Sequence, residues 1–171
     1  MKQNQDNSEN KIGLFKPNIF LATWFGAGLL PKAPGTWGTL ASIPFAWAMH
    51  SFLGWQFLAV ACFSIFCIGT WVANGYIEFH GREDPGPVVI DEVAGMWLTL
   101  TPAAYFFPFT PDFFTYVVAF ILFRIADIYK PWPISWADKR IKGGFGIMID
   151  DIIAGIFASL GLLTFIIYME I

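Results

Sequence analysis

DDIIAGIFASLGLLTFIIYM, residues 150–169, opens on two adjacent aspartates and then carries no further charge. The apolar part, 152–169, approaches the ~20 residues that a helix needs to cross a bilayer. Ionisable groups at the edge of such a helix are costly to keep there, so by default they mark a functional site. Four more apolar runs lie upstream, at 39–53, 55–75, 93–107 and 113–128. A shorter one, IFLATWFGAGLL at 19–30, stops at Pro31 and is too short to span. It reads as a re-entrant or interfacial helix.

Composition agrees with a lipid solvent. The chain has 171 residues, 56% hydrophobic and 13% charged, against roughly 25% charged in an average soluble domain. So few charges cannot cover so much apolar surface in water, whereas apolar side chains can face acyl chains. We therefore expect an all-α fold: a polytopic membrane helical bundle of about five transmembrane helices plus the short N-terminal one. Residues 1–18 read as a polar cytoplasmic tail without a signal-peptide layout, and 19–171 as a single membrane-embedded domain. Cys62 and Cys67, five apart, point to different helix faces and read as apolar filler.

Loop charge sets the orientation. Lys2, Lys11, Lys16 and Lys32 precede the first span, Arg82 separates the second from the third, and Arg124, Lys130, Lys139, Arg140 and Lys142 precede the last. The opposite turns, near Gly54 and at 108–112, carry no Lys or Arg. The positive-inside rule makes the basic side cytoplasmic. A net charge of -3 gives no reason to expect a nucleic-acid partner. The expected partners are membrane lipids.

The acids gather on that same side: Asp84, Asp91, Glu92, Asp127, Asp138, Asp150 and Asp151. The pairs Asp91-Glu92 and Asp150-Asp151 each precede an apolar run, where a helix dipole favours a carboxylate. One acid suffices as an N-cap, so two ask for another reason. Adjacent carboxylates repel, and a divalent cation removes that penalty. Hard oxygen donors without a His or Cys cluster suit Mg²⁺ rather than Zn²⁺. Mg²⁺ commonly takes one or two carboxylates together with phosphate oxygens. Asp91, Glu92, Asp127, Asp150 and Asp151 are the expected metal ligands, directly or through water.

Cations for a phosphate stand nearby. In FRIADIYKP, residues 123–131, Arg124, Asp127 and Lys130 are three apart and share a helical face. Arg124 offers a planar fork and Lys130 a point charge. KPWPISW, 130–136, reads as extended, because its two prolines oppose a regular helix. Gly143 and Gly144 in KGGFG permit close backbone approach to an anion, and Thr36 in APGTWGT offers a hydroxyl. Lys139, Arg140 and Lys142 would attract an anionic head group. Catalysis is assigned to Asp127, Asp91, Glu92, Asp150 and Lys130. His50 lies away from the acids and His80 reads as exposed, so no Ser-His-Asp or Cys-His arrangement forms.

Three blocks together, PKAPGTWGTL (31–40), DPGPVVIDEVAGMWLTL (84–100) and FRIADIYKPWPISWADKRIKGGFGIMIDDIIAG (123–155), resemble the phosphatidylglycerophosphatase A family of bacterial inner-membrane lipid phosphatases. The resemblance runs from about residue 23 to 159. It implies a helical bundle that removes the terminal phosphate of phosphatidylglycerophosphate with Mg²⁺, giving phosphatidylglycerol. A divalent-cation transporter, the alternative from a different class, would place acids near mid-membrane with a polar path on both sides. Another membrane phospholipid-head-group enzyme, the CDP-alcohol phosphotransferase, would need a DGxxAR-type motif, which is absent. The His-based membrane phosphatase motif and the DxDx nucleophile motif are absent as well.

Overall fold

The computed structural model describes residues 17–81, 86–106 and 112–169, and all regular structure in them is helical. Lys2, Lys11, Lys16, Arg82, Asp84, most of the 1–18 tail and most of the 108–112 turn lie outside the described residues. The helices are α1 (Pro17–Ala22), α2 (Pro34–Leu53), α3 (Trp55–His80), α4 (Ile90–Phe106), α5 (Phe113–Tyr129), α6 (Ile134–Arg140) and α7 (Gly143–Met169).

Local chemistry explains most boundaries. Pro34 occupies the first turn of α2, where its missing N–H costs nothing. Gly54 (φ +82°) ends α2, and Gly81, in the left-handed region, closes α3. Asp112 caps α5 by accepting from Thr115 N at 2.8 Å and from Thr115 Oγ1 at 2.7 Å.

Several sequence-based boundaries move. α3 runs past Gly75 to His80, and α2 begins at Pro34 rather than at 39. α7 begins at Gly143, so Gly143 and Gly144 lie in its first turn. Asp150 and Asp151 therefore sit two turns inside a helix and not at its N-terminus. The segment 130–136 is not extended, for a turn at 131–133 leads straight into α6. Pro133 is tolerated there because it precedes the helix as its N-cap. The 19–30 segment holds only the six-residue α1, then turns and a 3₁₀ stretch at Ala27–Leu29.

Among the described residues two helices, α3 with 26 residues and α7 with 27, are long and apolar enough to cross a membrane. α4 and α5 have 17 residues each. The outward faces are apolar: Phe63, Trp71 and Phe113 are each at least 70% exposed.

α4 and α7 form the centre of the molecule. Gly95 and Gly155 let the two backbones touch, for a Cβ on Gly155 would stand 2.6 Å from Gly95 O. A Cβ on Gly95 would stand 2.7 Å from Asp151 O and 2.5 Å from Phe123 Cε2. Thr99 Oγ1 donates to Gly95 O at 2.8 Å at the same crossing. The N-terminal segment pins the approach to α4, with Val89 N donating to Ala22 O at 2.9 Å.

Candidate active site

Five elements meet around one polar cavity of about 520 Å³. α2 contributes its head at Ala33, Pro34 and Gly35, and α4 contributes Asp91 and Glu92 from its first turn. α5 brings Arg124 and Asp127 at its end, followed by Lys130 as its C-cap. α6 supplies Asp138, and α7 supplies Gly143, Gly146, Asp150 and Asp151. The sequence separation of these groups is bridged by helix direction. α2, α4 and α7 start at this end of the molecule, whereas α5 finishes there.

Close packing at glycines sets the spacing. The α4–α7 crossing lies one turn below the acids and draws Asp151 against α4. Gly35 lets the head of α2 come against Glu92, because a Cβ there would run into Glu92 Oε1 and lie 3.1 Å from Arg124 Nη1. Lys130 adopts φ +42°, uncommon for a residue with a Cβ. That conformation turns the chain out of α5 while the ammonium reaches both α6 and α7.

The cations are held by acids of different elements. Arg124 Nη1 lies 2.5 Å from Asp127 Oδ2 and 3.6 Å from Glu92 Oε1. Lys130 Nζ donates to Asp138 Oδ1 at 2.5 Å and to Asp150 Oδ2 at 2.6 Å. Burial works against the charge on Lys130, but these two bonds outweigh it and hold the ammonium above the ordinary lysine range. Burial would likewise raise Asp138, yet the bond from Lys130 holds its carboxyl below the ordinary range.

Six carboxylates face three cations in the cavity wall (Asp91, Glu92, Asp127, Asp138, Asp150 and Asp151 against Arg124, Lys130 and Lys142). The excess negative charge is concentrated where Asp91, Glu92 and Asp151 each offer an oxygen within 4.8 Å of the others. Asp91 Oδ1, Glu92 Oε2, Asp150 Oδ1 and Asp151 Oδ2 are buried without a hydrogen-bond partner among the described residues. Buried polar atoms are normally partnered, and buried like charges need compensation. An all-oxygen set of this kind fits a hard divalent cation.

Of the residues read from sequence, Asp91, Glu92, Arg124, Asp127, Lys130, Lys142, Gly143, Asp150 and Asp151 line the cavity. Thr36, Lys139, Arg140 and Gly144 do not. Thr36 lies in the first turn of α2, and Lys139 and Arg140 are exposed on the last turn of α6. Gly144 serves helix packing: its N–H donates to Asn74 Oδ1 at 2.7 Å, and a Cβ there would stand 2.8 Å from Asn74 N. Asp138 and Gly35 are wall residues that the sequence reading did not assign to the site. The proline pair hid α6, which brings Asp138 to Lys130. Gly35 had only the signal of a glycine after Ala33-Pro34.

Two helices of membrane-spanning length among the described residues and a cavity at one end, rich in carboxylates and with fewer cations, define a helical protein with an acidic site. The family described as Phosphatidylglycerophosphatase A matches residues 20–166. A Phosphatidylglycerophosphatase A of Escherichia coli (strain K12) is 40% identical over 166 residues, which cover 97% of this chain and 92% of that protein. Its namesake in Haemophilus influenzae is 36% identical, covering 90% and 91%. A Bacteroides thetaiotaomicron protein provisionally named a phosphatidylinositol-3-phosphatase is also 36% identical, covering 82% and 87%. No solved structure matches significantly. The chain belongs to the phosphatidylglycerophosphatase A family, and is a phosphatase.

Proposed function

We propose that this chain hydrolyses the terminal phosphate monoester of phosphatidylglycerophosphate to phosphatidylglycerol and phosphate, with Mg²⁺, as a step of phospholipid biosynthesis. The relatives' names supply the substrate. The observation that carries the mechanism is the trio Asp91, Glu92 and Asp151, with oxygens within 4.8 Å and one buried oxygen on each without a hydrogen-bond partner among the described residues, set beside Arg124 and Lys130. Asp91, Glu92 and Asp151 would hold the ion, with Asp150 and Asp127 as further ligands or water-mediated ones. A bound Mg²⁺ polarises phosphoryl oxygens and lowers the pKa of water.

The side chains divide the remaining work. Water adds to phosphorus, the bond to the glycerol oxygen breaks, and that oxygen takes up a proton. Asp127, fixed by Arg124, accepts the proton from the water when it is not a ligand. Arg124 and Lys130 oppose the negative charge that spreads over the phosphoryl oxygens. Lys142 lines the entrance, and Lys139 and Arg140 on exposed α6 attract the anionic head group.

The setting is the bacterial inner membrane, with α2, α3, α4, α5 and α7 crossing it and the cavity on the cytoplasmic side. Exposed aromatics on the helix exteriors support this, as does the confinement of Lys and Arg to the cavity end among the described residues. α4 and α5, about 25 Å long at 1.5 Å per residue, suit a locally thin bilayer or short span.

The test is phosphate release by the purified protein from phosphatidylglycerophosphate, phosphatidic acid, phosphatidylinositol 3-phosphate and a soluble phosphomonoester, with Mg²⁺ and with chelator. Release should be highest with the first lipid and stop with chelator. Asp150→Asn should abolish it without loss of membrane insertion. Mg²⁺ flux in liposomes without phosphate release would instead make the protein a transporter.

A further inference from the structure

A second cavity, about 510 Å³ and apolar, lies between α2 and α5. Leu40, Ile43, Pro44 and Trp47 form one wall, and Phe113, Tyr116, Val117 and Phe120 form the other. Its volume falls within the roughly 300–1,000 Å³ of ligand-binding clefts. We infer that this groove seats an acyl chain of the lipid whose phosphate enters the acidic cavity. The inference rests on the lipid phosphatase reading above.

Helix periodicity ties the groove to the site. On α5, residues 113, 117, 120 and 124 recur at the i, i+4, i+7, i+11 spacing of one face. The face that presents Phe113, Val117 and Phe120 to the groove therefore ends in Arg124, a wall residue of the acidic cavity. On α2, Leu40 and Trp47 are seven apart and share a face. The same helix lines the acidic cavity with Pro34 and Gly35 at its head and the groove from Leu40 to Trp47. Phe120 is about one turn, roughly 6 Å, from Arg124 along the axis. A lipid with its phosphate at Arg124 thus meets this seam first as it descends.

Another apolar groove is interrupted before it reaches the acids. It lies between α3, α4 and α7, along Cys62, Phe66, Leu98 and Ile152. On α4 the face that joins its Leu98 to Asp91 passes through Ala94, which is fully buried and lines neither cavity. Met148 packs so tightly on α3 that a Cβ on Gly69 would stand 2.5 Å from its sulfur. Cys62 Sγ, 3.4 Å from Ala94 O, closes the same layer.

Two measurements decide the matter. Val117→Trp fills the α2–α5 groove, and Ala59→Trp fills the other. Both are assayed with long-chain phosphatidylglycerophosphate and with its deacylated head group in Mg²⁺. Val117→Trp should lower kcat/KM for the lipid at least tenfold and leave the deacylated head group unchanged, while Ala59→Trp changes neither. Equal effects on both substrates in a folded Val117→Trp protein, or none, overturn the inference. Wild-type protein inactive on every substrate overturns the phosphatase reading instead. The second measurement covers a misfolded variant. Wild-type protein in bilayers is photolysed with a phosphonate analogue of the substrate carrying a diazirine in its acyl chain. Adducts should map to 40–47 and 113–120 and diminish with excess unlabelled phosphonate. Adducts spread over all lipid-facing helices, or insensitive to competitor, indicate bulk lipid and reject the groove.

Discussion

At the scale of single residues, the site depends on charges that no neighbour fully compensates. Arg124 reaches Glu92 on α4 and Asp127 on its own helix with one planar group. A lysine keeps the charge but loses the fork. Arg124→Lys should therefore reduce phosphate release by about a hundredfold, as for other lost donors to a developing anion. Near-wild-type turnover in that variant would show that the fork is dispensable. Asp138 makes a different claim. Its carboxyl is held below the ordinary range in the folded chain, with the bond from Lys130 overcoming burial. The stability it lends is complete above the ordinary aspartate pKa and is lost as pH falls through the lowered folded value. Acidification below that ordinary range should therefore lower Tm more steeply in wild type than in Asp138→Asn. Parallel Tm curves would remove the Lys130–Asp138 bridge from the acid-sensitive contacts.

At the scale of helices, small residues decide where acids stand. Asp151 sits beside Asp91 and Glu92 because α4 and α7 cross at Gly95 and Gly155 with no side chain between them. Gly95→Ala would press a methyl on Asp151 O and the Phe123 ring. We expect a loss of about 1–3 kcal/mol in stability from overpacking, with a larger fractional loss of activity, read by thermal unfolding and phosphate release on the same sample. Unchanged activity at reduced Tm would mean that the crossing supports the fold without setting the acid spacing. α6 carries the other lesson. Two prolines made 130–136 look extended, but Pro133 stands just ahead of the helix, where no hydrogen bond is lost.

At the scale of the whole molecule, direction along the bundle becomes the question. The cavity and its cations occupy one end, while Asp112 caps α5 at the other. Single cysteines placed at Lys139 and at Asp112 in a protein lacking Cys62 and Cys67 report the two ends. A membrane-impermeant maleimide should label position 139 only in inside-out vesicles and position 112 only in intact spheroplasts. The opposite pattern would invert the proposed orientation. Labelling of both from one side would contradict the proposed number of crossings.

The division between sequence and tertiary structure follows the range of the forces involved. Apolar runs, one-sided Lys and Arg, and the pairs Asp91-Glu92 and Asp150-Asp151 are local patterns, and helical class and the acidic residues were legible in them. The start of α7 at Gly143 was not legible, because glycine disfavours helix by about 1 kcal/mol per residue and only packing against Asn74 and Thr70 overrides it. Nor was the ion-pair arrangement. Lys130 is bound to Asp138 and Asp150, eight and twenty residues away. Asp91, Glu92 and Asp151 gather only once two glycine-faced helices have crossed. Sequence alone determined which residues could carry charge beside the apolar helices. The packing of helix backbones decided which of them share a cavity, since that depends on contacts between distant segments, which no short pattern encodes.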